Sequence, residues 1–232
     1  MQILLATTNP HKLDEIRQVI PAASVSLHTL GDVPGGERLA EPHEDQPTFE
    51  GNAVLKARYY ARETGQLTLA DDSGLEVDAL DGAPGVRSAR YSGATGARRE
   101  VDMANNRKLL LEMEPVAVER RAARFVCAMA LCAADAEQPL AVVRGTVEGR
   151  IILREEAADP GLAERGRGDN GFGYDPLFFL IDRGCTTAQL TPEQKNAISH
   201  RGDAARKMWR KLIELGLAED PAHPSSAAAP GR

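Results

Sequence analysis

Residues 67–80 read LTLADDSGLEVDAL, and the organisation of the chain follows from how this stretch is parsed. The run 67–71 has the length and aliphatic content of a buried strand and ends on two adjacent acids, Asp71 and Asp72. Asp72-Ser73-Gly74 is a turn signal, so the pattern predicts a strand, a turn and a second strand over 75–80. Upstream, TFEGNAVLKARYYARETG predicts a helix over 48–64, with Thr48 at its start and Gly65 as the left-handed residue past its end. Residues 31–47, rich in Gly, Pro and acids, read as a loop or flap. At the front of the chain, QILLAT (2–7) reads as a buried strand and 10–20 as a helix, with Asn9 as cap and Pro10 in the first helical position.

Downstream, 82–96 is irregular. A helix is expected around 101–114, then paired strands near 123–133 and 140–153 and a charged, Gly-rich connection over 155–171. The last helix should begin near Gly202 and end before Gly216, with Ala205, Met208, Trp209 and Leu212 on one face. This order of elements predicts an α/β fold with a mixed β-sheet and flanking helices. The length of 232 residues fits one large domain or two tightly joined lobes, here 1–218, and the Pro/Ser/Ala tail 219–232 is expected to be disordered.

Composition narrows the class. With 42% hydrophobic but only 4% aromatic residues, the core must be built from Leu, Val, Ile and Ala. A net charge of -6 argues against a nucleic-acid-coating surface, while leaving room for a small anion held by local cations and a metal. Cys127, Cys132 and Cys185 form no CxxC pair and too few ligands for zinc; Cys127 and Cys132, in an apolar run, read as buried thiols of a reducing compartment. MQILLATTNP lacks the basic start of a signal peptide, and no apolar run approaches the ~20 residues that span a bilayer. A cytoplasmic protein is expected.

Three constellations can carry chemistry. Thr7, Thr8, Asn9, Pro10, His11 and Lys12 lie where a strand meets a helix N-terminus, whose free N–H groups and dipole favour an anion. An ordinary capped junction with a surface lysine reads equally well. The second is the Asp71–Asp72 pair. Adjacent carboxylates repel unless a cation or donor relieves them, and successive strand residues face opposite sides. One acid is therefore free for metal or water while the other is held by backbone or lysine. Asn52, Lys56 and Tyr59 share a helical face nearby, and Glu44 offers another oxygen. This set suffices for Mg²⁺, which uses one or two carboxylates plus phosphates and waters. A plain polar turn is the competing reading. The third joins Phe172, Gly173, Tyr174 and Asp175 to Lys195, His200 and Arg201: glycines admit a flat ligand, an aromatic ring stacks on it, and the cations face an anion or a base edge. Core packing is the alternative for the aromatics, and a capping or core role for His200.

Taken in order, ATTNPHKLDEI, TFEGNAVLKA, LADDSGLEVDALDGAPGVRSARYSG, FVCAMAL, GFGYDPLFF and KNAISHRG resemble the non-standard purine nucleoside triphosphate pyrophosphatases, relatives of inosine triphosphatase and of dITP/XTP pyrophosphatases. The resemblance runs from residue 6 to about 209. It implies an elongated α/β fold with a nucleotide cleft between two lobes, assembled as a homodimer. It also implies Asp72 as metal ligand and general base, Glu44 as acidic metal ligand, and Mg²⁺ as cofactor. Substrate contacts would come from Thr7 to Lys12, Ser73, Phe172 to Asp175, Lys195, His200 and Arg201. Three departures stand out: Thr8 where glycine is usual, Gly51 in place of the second Glu of TFEENA, and a longer, mobile connection over 155–171. The expected reaction is Mg²⁺-dependent cleavage of inosine, deoxyinosine or xanthosine triphosphate to monophosphate and pyrophosphate, with lysine 56 supporting the phosphates. Donors from Lys195, His200, Arg201 or the Gly-rich backbone would favour a 6-oxo purine over adenine. The rivals are a nucleotide sensor that binds without cleaving, and a pyrophosphatase for modified pyrimidine nucleotides.

Overall fold

The computed structural model describes residues 1–7 and 10–219. The tail beyond Glu219, like Thr8 and Asn9, lies outside the described residues, and so do the side chains of Pro10 and His11. The chain forms β1 (Gln2–Leu5), α1 (Pro10–Arg17), β2 (Ser26–His28), α2 (Phe49–Thr64), β3 (Thr68–Val77), α3 (Arg98–Met113), β4 (Ala122–Cys132), β5 (Ala141–Ile151), β6 (Phe178–Leu180), β7 (Cys185–Thr186), α4 (Pro192–Ile198) and α5 (His200–Glu214). The strands make one seven-stranded sheet in the order β2-β1-β3-β4-β5-β6-β7. β1 pairs in parallel with β2 and β3, and every later pairing is antiparallel. The α/β mixed sheet read from the sequence is what forms.

The turn expected at Asp72-Ser73-Gly74 does not exist. β3 runs unbroken through it, with Asp71 opposite Met129, Asp72 opposite Ala128, Ser73 opposite Cys127 and Gly74 opposite Val126. Ten consecutive pairings with β4 satisfy the backbone groups that a turn would have closed on themselves. Gly74 is there for space: a Cβ on it would meet the Ser88 hydroxyl at 2.3 Å.

Side-chain alternation sorts the core. Ile3, Leu5 and Leu69 face α1 and α5, packing with Ile16, Met208 and Leu212. Leu4 and Ala70 face α2, packing with Ala53, Ala57 and Ala61. That second interface is mostly alanine on both sides, with Ala128 and Ala130 joining from β4, so α2 lies close to the sheet. Farther along the strands, Leu75, Val77, Phe125 and Ile151 pack against Leu109 and Met113 of α3.

Other boundaries shift for local reasons. α1 stops at Arg17 rather than residue 20, because Pro21 disfavours helix in the residue before it. α5 starts at His200, earlier than expected, since the Ser199 hydroxyl accepts from the Gly202 amide at 2.9 Å and caps the helix. Its Ala205, Met208 and Leu212 are buried as the periodicity requires. α2 matches the prediction, with Thr48 accepting from the Gly51 amide and Gly65 left-handed at φ 70°. A Cβ on Gly51 would approach Gln46 Cβ to 2.8 Å, which accounts for glycine at that point. The connection over 155–171 is anchored, contrary to expectation: Ala163 is fully buried, and Glu164 takes Arg107 on its carboxylate at 2.8 Å and Asn106 on its carbonyl at 3.1 Å.

Candidate active site

The middle of β3, Asp71 to Gly74, forms the floor of a cleft of about 550 Å³. Thr7 and Lys12 reach it from the β1–α1 junction, Glu44 from the loop before α2, Lys56 from α2, Phe172 to Asp175 from the β5–β6 connection, Lys195 from α4, and His200 and Arg201 from the start of α5. Every predicted site residue whose side chain is described lines this one cleft. Segments as distant in sequence as Thr7 and Arg201 meet there because β1 pairs with β3 and α5 packs on the same sheet.

Asp71 and Asp72 point to opposite faces and have opposite surroundings. Asp71, 1% exposed, takes Lys12 at 2.9 Å and Arg201 at 3.5 Å. Burial alone would raise its pKa, but Lys12, Arg201 and Lys56 outweigh that and hold it well below the usual carboxylate range. Asp72 faces α2. Its Oδ2 accepts from Asn52 at 2.9 Å and its Oδ1 from the Ser73 amide at 2.9 Å. Burial, reinforced by the negative charge of Glu44, raises its pKa against the opposing pull of Lys56 and Asn52. Lys56 binds Glu44 at 2.7 Å. Burial works against its charge, but Asp71, Asp72 and Glu44 together raise its pKa, so the ammonium is secure.

Arg201 is a buried bridge. It donates to Glu15 at 2.5 Å and to the Ser73 hydroxyl at 2.9 Å besides pairing with Asp71, which raises its pKa. Its guanidinium thus faces acids under the floor, not an open donor position for a base as expected. His200 lies in the cleft wall, stacked on Phe125 with ring centroids 5.1 Å apart. Burial, with Arg201 and Lys195 nearby, pushes its pKa well below the ordinary value, so the ring is neutral. Because the unfolded chain binds this proton more readily, the ring costs stability below the ordinary histidine pKa of 6.5 and nothing above it. His200→Gln is therefore expected to narrow the gap in melting temperature between pH 5.5 and pH 7.5, measured by scanning calorimetry. An unchanged gap would show that the wild-type ring is not neutral.

Tyr174 belongs to the core: it is 5% exposed and donates to the Ser88 carbonyl at 2.8 Å. Phe172 lines the cleft, with Lys195 Nζ 5.1 Å and the Arg98 guanidinium 5.8 Å from its ring centroid. Lys195 is held by Asp175, which also accepts from the Phe172 amide at 2.8 Å. Gly171, at φ 81°, cannot carry a side chain, since a Cβ would meet the Asp175 carboxylate at 2.2 Å. Of the helical face proposed from sequence, Asn52 and Lys56 face the cleft, but the tyrosine that lines it is Tyr60, not Tyr59. Both tyrosines lie within one turn of Lys56, but Tyr60 is buried while Tyr59 is half-buried beside Arg58 and Arg62. Glu15, Arg90, Arg98 and Asp102 were missed. Of these, Glu15 had a signal, lying one turn from Lys12 on α1.

No group of three or more His, Cys, Asp or Glu able to hold a metal occurs among the described residues. A two-carboxylate site is another matter. Glu44 is pinned by Lys56 through its side chain and by Arg90 through its carbonyl at 3.1 Å, and its charge acts on Asp72. Two acids kept within mutual repulsion fit a hard cation that draws its other ligands from phosphates and water.

Known proteins resemble this chain in sequence and fold. The Ham1 family matches residues 3–211. A dITP/XTP pyrophosphatase of Nitratidesulfovibrio vulgaris is 46% identical over 217 residues, covering 92% of this chain and 94% of that protein. One of Bacillus anthracis is 41% identical over 218 residues, covering 94% and 99%. Among solved structures, a Ham1 protein from Coxiella burnetii superposes with a TM-score of 0.77 at 35% identity, over 92% of this chain and 99% of that one. With sequence and fold alike along nearly the whole length, the chain belongs to the Ham1 family.

Proposed function

We propose that the chain is a hydrolase that cleaves non-standard purine nucleoside triphosphates, such as inosine, deoxyinosine and xanthosine triphosphate, to the monophosphate and pyrophosphate. The observation that carries this reading is the unequal pair on β3: Asp71 neutralised by Lys12 and Arg201, Asp72 left at the cleft floor between Asn52 and Lys56. It agrees with relatives named dITP/XTP pyrophosphatases at 41–46% identity.

In this reading Asp72 orients the attacking water and takes its proton, a role its raised pKa suits. Asn52 fixes the carboxylate so that its second oxygen has one direction. Lys12 and Lys56 donate to phosphoryl oxygens, and the N-terminus of α1 adds its partial positive charge. Asp72 and Glu44 would hold Mg²⁺, which supplies charge neutralisation on the triphosphate and activation of water. Phe172 stacks on the purine, and Lys195 donates to a 6-oxo group, which adenine lacks. The proposed setting is a homodimer in the cytoplasm. The buried Cys127 and Cys132 and the absence of any helix, among the described residues, long and apolar enough to cross a membrane are compatible with that location.

Pyrophosphate release across a nucleotide panel tests the reading. Inosine, deoxyinosine and xanthosine triphosphates are expected to turn over at least about tenfold faster than ATP. Removing Mg²⁺ with a chelator should cut the rate by about a hundredfold or more. Equal turnover of ATP would refute the base preference, full activity in chelator the metal, and binding without turnover the enzyme.

A further inference from the structure

Resting on that reading of the cleft, we propose that Asp102 and Asn106 of α3 are positioning residues that clamp the Phe172–Gly173 segment and thereby set the plane on which the purine stacks. The two lie one helical turn apart on the same face of α3. Asp102 Oδ2 accepts from the Gly173 amide at 3.0 Å, and Asn106 Nδ2 donates to the Gly173 carbonyl at 3.1 Å. Both polar groups of one loop residue are therefore held by one rigid helix. Gly173 is left-handed at φ 61°, a conformation that needs such external support to be unique.

The clamp extends in two directions. Asn106 also donates to the Glu164 carbonyl at 3.1 Å, tying the 155–171 connection to the same helix. Asp102 pairs with Arg98 at 3.0 Å, and Arg98 in turn lies over the Phe172 ring. Next to Asn106, Asn105 holds the neighbouring wall of the cleft: it accepts from the Ser92 amide at 2.8 Å and donates to the Ser88 and Ala89 carbonyls at 3.3 and 3.2 Å. Tyr174 joins the two walls by donating to Ser88. None of these groups meets Asp72, Lys56 or Glu44 in a hydrogen bond, so the clamp acts on the base end of the cleft and not on the phosphate end.

The experiment is steady-state kinetics of inosine triphosphate hydrolysis, with inosine monophosphate binding by calorimetry and tripolyphosphate as a base-free competitive inhibitor. Asp102→Ala is the main variant because this side chain is partly exposed, at 14%, and tolerates truncation better than buried Asn106. It should raise KM and the monophosphate dissociation constant about tenfold, the loss expected for one ordered hydrogen bond, with kcat within about twofold. Inhibition by tripolyphosphate should not change. Asp102→Asn, which keeps an acceptor for the Gly173 amide, should recover most of the affinity. In a Phe172→Ala background, Asp102→Ala should add less than about twofold, because the ring it positions is gone. Parallel weakening of tripolyphosphate, full additivity with Phe172→Ala, or no change in KM would each overturn the clamp. A wild-type protein that binds no inosine monophosphate would overturn the base site itself, and the clamp with it.

Discussion

Replacing Asp72 by Asn is expected to lower kcat for inosine triphosphate by at least about a thousandfold while leaving the protein folded. The amide keeps the shape and can still meet Asn52, but it neither takes a proton nor contributes a charge to a cation. Stability should be unchanged or slightly higher. The wild-type carboxylate is disfavoured by burial and by Glu44, which the substitution relieves. Pyrophosphate release and a thermal melt on the same sample check both halves. A folded Asp72→Asn protein within tenfold of wild-type activity would take this residue out of the mechanism.

The neighbouring substitution should do the reverse in its first effect. Asp71→Asn removes the acid that pairs with Lys12 and, among the described residues, one of the two that pair with Arg201, both beside a fully buried position. Breaking a buried pair from one side costs about 3–5 kcal/mol. At roughly 2–4 °C per kcal/mol for a chain of this size, the melting temperature should fall by about 6–20 °C at neutral pH. The sign with pH is definite. The folded-state pKa of Asp71 lies below its ordinary value of 3.8, so its stabilisation is complete above that value and is lost as pH falls through the folded one. The difference between wild type and variant should therefore hold from pH 8 to 5 and shrink below about pH 4. A melt unchanged at pH 7 would mean that Lys12 and Arg201 are satisfied without this acid.

Much of this was legible in the residues. α2 was, because a threonine cap, an apolar face and a closing glycine agree with one another. So was the division of labour between Asp71 and Asp72, since strand alternation alone requires it. Most of what failed shares a cause. Asp72-Ser73-Gly74 carries turn residues by local preference, but an eleven-residue partner strand supplies the pairing that overrides it. Tyr59 and Tyr60 are adjacent and both lie within one turn of Lys56, so helical spacing does not choose between them. Tyr174 and Phe172 are two residues apart in a glycine-rich loop; which one packs and which one stays at the cleft depends on Ser88, 86 residues away from Tyr174. The buried role of Arg201 needed Glu15 from the opposite end of the chain. Apart from helix ends shifted by local neighbours, the strand, the choice of aromatic and Arg201 were decided by contacts distant in sequence.

The uninterrupted course of β3 limits how this protein can change over evolutionary time. In a strand whose side chains alternate with a period of two, gaining or losing one residue upstream of the acids would swap their faces, turning the free carboxylate toward Lys12 and the neutralised one toward Asn52. Both jobs would be lost in a single event, and no substitution nearby could restore them. Length variation is therefore excluded from β3 and its partner β4. It must enter where the backbone is not in register with anything, in the stretch before α2 or in the one between β5 and β6, and new specificities should be sought there.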